Sequence, residues 1–143
     1  MFALVDANSF YCSAEQVFRP DWRGKPIIVL SNNDGCIVAA NRQAKELGIP
    51  KFSPYFKVKD MCQRLGVIAC SSNYELYADL SLKMMNIIGR FAPEQHIYSI
   101  DESFLSYKNA IQQLNACEVK VSSLGALFGK KLDYPCVWGW RQL

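Results

Sequence analysis

Apolar residues come along this chain in short bursts, and their spacing predicts alternating strands and helices. Residues 2–5 (FALV) form an apolar run that ends at Asp6 and reads as a buried strand. Asn8 or Ser9 can cap the helix that follows, where Phe10, Ala14, Val17 and Phe18 share one face before Pro20 ends it. Residues 26–30 (PIIVL) and 36–40 (CIVAA) are two β runs. Asn33-Asp34-Gly35 is a tight-turn signal between them, so residues 26–40 read as a hairpin. A short helix is expected from about Asn41 to Leu47, stopped by Gly48 with Pro50 just beyond. Ser53-Pro54 reads as an N-cap followed by proline in the first turn, which predicts a helix to about Leu65 closed by Gly66.

Val67 to Cys70 is β-like, and Asn73 to Phe91 is expected to be one long helix. Leu76, Leu80, Met84, Ile87, Ile88 and Phe91 keep helical register along it. Ile97 to Ile100 reads as a strand ending at Asp101-Glu102, with an alternating stretch through Phe104-Leu105. After Tyr107 the character changes. Asn109 to Cys117 has the pattern of a short amphipathic helix, and no period survives beyond about residue 118. There is no internal repeat and no low-complexity segment.

Composition narrows what such a chain can be. It has 143 residues, half of them hydrophobic and 20% charged, enough for a packed core and unlike a disordered or coiled-coil sequence. The longest apolar runs have five residues, whereas a membrane span needs about 20, so no membrane contact is expected and the chain reads as cytosolic and unexported. The six cysteines lie far apart, with no C-x-x-C pair and a single histidine, His96, which points to reduced, mostly buried thiols. Net charge is +3, but its distribution says more: residues 1–107 sum to zero, while Arg42 to Arg64 holds six basic and two acidic residues. Such a run is either a solvated face or a surface that meets phosphate.

The placement of the acids carries the most chemistry. Asp6 ends the first strand and Asp101-Glu102 end a later one. If those strands are neighbours, three carboxylates meet at one sheet edge and repel one another. Hard oxygen donors of this kind suit Mg²⁺, and two such ions about 3.5–4 Å apart would clamp a phosphoryl displacement. Taken alone, Asp6 also reads as a capping aspartate and Asp101-Glu102 as an exposed turn pair. Tyr11 lies within two turns of Asp6 and can flank what the acids bind, while Phe10 reads as core. Arg42 and Lys45, three apart on the short helix, share a face that can meet a triphosphate or simply water. Ser71 to Tyr77 is a polar entry to the long helix and a capping signal.

Four ordered stretches, FALVDANSFYCSAEQVFRP (2–20), GKPIIVLSNNDGCIVAANRQAKELGIP (24–50), SSNYELYADLS (71–81) and IYSIDESF (97–104), resemble the Y-family translesion DNA polymerases, and among them the UmuC branch. The resemblance covers about residues 2–107. It implies an α+β fold: an incomplete polymerase palm, a ferredoxin-like sheet with helices on one face around Asp6 and Asp101, plus small fingers over about residues 24–77. It further implies that Asp6 and Asp101 hold two Mg²⁺ ions together with a dNTP, that Glu102 completes the primer-side metal, and that the carbonyl of Ala7 is a further ligand. Tyr11 falls at the steric-gate position, Lys45 matches a triphosphate contact, and Asn41 matches the residue that opens the fingers helix. At Arg42 many relatives carry tyrosine, although arginine also meets phosphate.

The implied chemistry is nucleotidyl transfer, in which a primer 3′-hydroxyl attacks the α-phosphate of a dNTP and pyrophosphate leaves. Implied partners are damaged primer-template DNA, dNTP, and a UmuD-type subunit and RecA, in the SOS response of a bacterial cytoplasm near the nucleoid. Family members are two to three times longer, and no thumb, helix-hairpin-helix or little finger is recognisable. The tail 108–143 does not match and reads as truncated or frame-shifted, so the chain alone is expected to be a feeble polymerase. The alternative is a non-enzymatic remnant or interaction module, for which a sliding clamp is the least favoured partner. A nucleotide cyclase with palm geometry is disfavoured by the NNDG hairpin and by Tyr11.

Overall fold

The computed structural model describes residues 2–107 and the backbone of 138–142, and the chain divides into two compact units. One comprises Met1–Asn8 with Glu75–Leu143, and the other comprises Ser9–Tyr74. The architecture is mixed α+β, as the resemblance implies.

In the first unit, β1 (Phe2–Ala7), β5 (Glu94–Ile97), β6 (Glu102–Ser106) and β7 (Trp138–Gln142) form an antiparallel sheet in the order β5-β6-β1-β7. Alternation decides which side chains enter the core: Ala3, Val5, Ala7, Ser103 and Leu105 are buried, whereas Leu4, Asp6, Glu102 and Phe104 are partly exposed. The helix α4 (Tyr74–Ile88) buries Leu80, Met84, Met85, Ile87 and Ile88 and runs on as a 3₁₀ turn through Gly89–Phe91. Gln95 Nε2 donates to the carbonyl of Met85 (3.0 Å) and to Ser103 Oγ (3.0 Å), tying the edge strand to this helix. Gly89 leaves room for this amide: a Cβ there would stand 2.5 Å from Gln95 Oε1 and push the end of that side chain aside.

The second unit is built on a three-stranded sheet in the order β3-β2-β4, from β2 (Ile27–Leu30), β3 (Ile37–Ala40) and β4 (Ile68–Ser71). The pair β2–β3 is the expected hairpin, while β4 joins β2 in parallel. Ile27 and Ile28 point to opposite faces, yet both are fully buried, which explains why β2 reads as a continuous apolar run. Helix α1 (Phe10–Val17) packs on β2 and β3, and the Cys12 thiol reaches the carbonyl of Ile27 (3.5 Å). Ile28 and Ile37 instead form a core with Ala44 of α2 (Arg42–Glu46) and Cys62 of α3 (Lys59–Arg64).

Asn41 joins these pieces. Its Oδ1 accepts from the backbone N–H of Ala44, capping α2, and from that of Ile27 (both 3.0 Å), while its amide donates to the carbonyl of Lys25 (2.7 Å). Cys12, Cys36, Cys62 and Cys70 are free, and burial pushes the Cys12 thiol up to about 12 and that of Cys70 to about 11.

Three expectations need correction. The helix expected over 53–65 is broken into a 3₁₀ turn (Tyr55–Lys57) and α3, because Pro54 is extended and bridges Cys36 rather than opening a helix. Helix α1 stops at Val17, and Pro20 begins a separate 3₁₀ turn. The strand expected over 97–100 lies at Glu94–Ile97, so Asp101-Glu102 come at the beginning of β6 instead of at a strand end. A strand is present at Trp138–Gln142, where the sequence has no readable period; the helix expected over 109–117 lies outside the described residues.

Replacing Asn41 with alanine strips three hydrogen bonds at once, two of them buried. The expected loss of stability is about 2–4 kcal/mol, read as a lower denaturant midpoint with an unchanged slope.

Candidate active site

The acids meet because β1 and β6 are antiparallel: the end of one strand lies beside the start of the other. Asp6 is paired with Glu102, and directly opposed residues in such a ladder share one face. The backbone N–H of Ala7 donates to the carbonyl of Asp101 (2.9 Å), which brings the third acid to the same sheet edge. Leu4 and Phe104, the next pair on that face, form an apolar floor behind the carboxylates.

The turn that delivers Asp101 is held from several sides. The N–H groups of Tyr98 and Ser99 both donate to the carbonyl of Glu102 (3.0 and 3.2 Å). Ser81, buried on α4, donates its hydroxyl to the carbonyl of Ile100. Ser99 Oγ lies 2.9 Å from Asp101 Oδ1 and 3.1 Å from Glu102 Oε2. Its single proton serves one carboxylate at a time and leaves both oriented by the same hydroxyl.

Asp6 sits on an interior strand of the four-stranded sheet, with Glu102 on one side and Gly139 in register on the other. Its carboxyl is held above the ordinary aspartate range, first by desolvation and then by the negative charges of Asp101 and Glu102. Among the described residues no three histidine, cysteine, aspartate or glutamate side chains are gathered closely enough to enclose a metal ion. The donor chemistry nevertheless fits a hard divalent cation: three carboxylates and the Ala7 carbonyl supply oxygen only.

Of the other expected site residues, Tyr11, Arg42 and Lys45 belong to the second unit. Tyr11, half-exposed on α1, is met edge-on by Phe10 (centroids 6.0 Å apart) and by Tyr74 (6.3 Å). Phe10 is core, as its spacing suggests. Arg42 and Lys45 are both exposed on α2, and Arg42 Nε is paired with Glu46 Oε1 at 2.8 Å. A surface pair of this kind is weak and gives way readily to a better anion. Ser99, which touches Asp101 and Glu102, and Tyr74, which meets Tyr11 within the second unit, are not among the site residues that the sequence singles out. Ser99 stands two residues before Asp101 in a segment read as strand, and Tyr74 was hidden in what reads as a helix cap.

Comparison with known proteins gives this geometry a context. The fold is that of DinB from Sulfolobus solfataricus, with a TM-score of 0.83 at 23% identity over 99% of this chain and 42% of that one. A Y-family DNA polymerase chimera gives 0.82 at 22% identity, over 98% of this chain and 42% of that one. The chain belongs to the impB/mucB/samB family, whose model matches residues 5–140. It is 57% identical to protein UmuC of Salmonella typhimurium over 104 residues, which is 73% of this chain and 25% of that protein. Identity to a DNA polymerase IV of Dehalococcoides mccartyi is 33% over 103 residues, covering 71% of this chain and 26% of that protein. The chain thus spans about a quarter of the length of the curated relatives it matches.

Because Asp6 takes up its proton more readily folded than unfolded, its contribution to stability is greatest below the ordinary aspartate range and is lost as pH rises through its raised value. In metal-free buffer, Asp6→Asn is expected to flatten that part of the stability–pH curve and to stabilise the protein at pH 7, as measured by denaturant titration across pH.

Proposed function

We propose that this chain carries the catalytic acids of a UmuC-like translesion DNA polymerase. On this reading Asp6, Asp101, Glu102 and the Ala7 carbonyl hold two Mg²⁺ ions with a dNTP, and the reaction is transfer of a nucleotide to a primer 3′-hydroxyl. The observation that carries it is the Asp6–Glu102 register with Asp101 joined to Ala7, which sets three carboxylates at one edge. The bound cations supply neutralisation of charge on the phosphates. The protein's part is to keep its acids ionised, side by side and in fixed register despite their repulsion.

The remaining roles follow from the same reading. Residues 24–77 act as fingers and the strands around Asp6 and Asp101 as palm. Tyr11 is the steric gate under the incoming sugar, its ring restrained by the edges of Phe10 and Tyr74. Arg42 and Lys45 meet the triphosphate, Arg42 exchanging Glu46 for phosphate oxygens. The substrate is damaged primer-template DNA in the bacterial cytoplasm near the nucleoid, in the SOS response, and a UmuD-type subunit and RecA are the proposed protein partners.

A second reading, a non-enzymatic interaction module, is favoured by one observation: Asp101 and Glu102 lean on Ser99 and do not close into a three-acid cage.

Calorimetric titration of dNTP with Mg²⁺ separates the two. The enzyme reading expects binding that Asp101→Ala weakens by at least ~100-fold, together with slow primer extension that the same change abolishes. Binding indifferent to Asp101→Ala would leave the interaction module as the better account.

A further inference from the structure

Ser9 sits where β1 gives way to α1, and it does not do there what its place in the sequence promises. A serine directly before a helix ordinarily has an extended backbone and turns its oxygen onto the N–H groups of the first turn. Ser9 instead has φ +52° and ψ +42°, in the left-handed region, and its side chain caps nothing in α1. Glycine or asparagine adopts that conformation more cheaply than serine. The hydroxyl donates to the carbonyl of Ala40 (3.2 Å), at the end of β3 and 31 residues further along the chain. A strained serine that forgoes its own helix for a distant carbonyl is a tie between two elements.

What the tie joins is specific. Ser9 stands two residues before Tyr11 on α1, and Ala40 stands two residues before Arg42 and five before Lys45 on α2. The Ala40 end is fixed: it is buried and paired with Ile28, and its neighbour Asn41 caps α2 while bonding to Ile27 and Lys25. The Ser9 end is the one that can yield. Its carbonyl accepts from the N–H of Ser13 (3.0 Å), so any shift of Ser9 passes into the first turn of α1, where Tyr11 lies. All of these residues belong to the second unit.

We infer that Ser9 is a positioning residue for sugar selection: through its bond to Ala40 it holds the Tyr11 ring in place relative to Arg42 and Lys45. The inference rests on the polymerase reading and adds to it the residue that sets how strictly the sugar is sorted. A nucleotide anchored by its phosphates on α2 presents its sugar at a set distance, and a ring excludes a 2′-hydroxyl only if it does not recede under contact. A displacement of about 1 Å is enough to matter in a site of this kind. Discrimination is a difference between two affinities, and it shrinks when the repulsive element softens.

The test is calorimetric titration of dATP and of ATP, each with Mg²⁺, on the full chain and on Ser9 variants, with thermal midpoints measured alongside. Wild type should prefer dATP. Ser9→Ala and Ser9→Gly should both narrow that preference by about fivefold, the equivalent of one net hydrogen bond, chiefly because ATP binds better. Their stabilities should move apart: alanine keeps the left-handed strain and loses the bond, so its midpoint falls, whereas glycine suits φ +52° and its midpoint holds or rises. Ser9→Thr keeps the hydroxyl on a stiffer, more strained residue, so it should retain the preference at a lower midpoint. A purely structural role would make preference follow the midpoint instead. The inference alone is overturned if dATP binding needs Asp101 but wild type shows no preference over ATP, if both hydroxyl-free variants keep the preference, or if Ser9→Thr loses it. Binding of dATP indifferent to Asp101→Ala removes the polymerase reading, and this inference with it.

Discussion

Everything at the acid edge follows from the way β1 lies against β6. Side chains alternate from one face of a strand to the other, so a shift of one residue in this pairing would turn Asp6 inward and expose Val5. The packing of Ala3, Val5 and Leu105 therefore sets the same register that aligns Asp6 with Glu102. Burial of a few small apolar groups decides where the charges go. The sequence between these strands includes an entire second unit with its own sheet and core, so the pairing closes a long loop, and apolar contact has to offset that closure.

The same register imposes an electrostatic cost. Three carboxylates in one place would separate if they were free, and the raised affinity of Asp6 for its proton reflects its desolvation first and this repulsion second. The fold tolerates this because the backbone leaves no alternative: Asp6 belongs to a strand paired on both sides, and the Ala7 amide is committed to Asp101. The Ser99 hydroxyl takes up part of the strain by giving Asp101 and Glu102 a shared donor. Local stability is lower here than a neutral edge would have, a pattern expected where a fold serves chemistry more than itself.

Much of this was legible in the sequence, for reasons that can be named. The β2–β3 hairpin shows in an Asn-Asp-Gly turn between apolar runs, and α2 shows in Asn41 and Gly48 at its ends. Helix α4 keeps its apolar period over fifteen residues, so tertiary context had little to override. The break at Pro54 was not legible, because a serine–proline pair before an apolar stretch has the form of a helix start. Only the pairing of this segment with β3, a long-range contact, keeps it extended. The turn before Asp101 was hidden for a related reason: Tyr98-Ser99-Ile100 contains no glycine, proline or asparagine, and hydrogen bonds to Glu102 and Ser81 bend it instead. The meeting of Asp6 with Asp101 and Glu102 was inferable as a condition on neighbouring strands. Ser99 and Tyr74 matter through whom they touch, and single-residue patterns do not carry that information.

One consequence of the sheet order concerns rigidity. The strand bearing Asp6 has a hydrogen-bonded neighbour on each flank, so it can move only if two ladders yield together. Asp101 instead rides on a tight bend whose fastenings are a handful of individual contacts. The cluster accordingly has an anvil and a hinge. Warming will displace the Asp101 half first, and the span between the two halves is tuned from the bend, never from the strand.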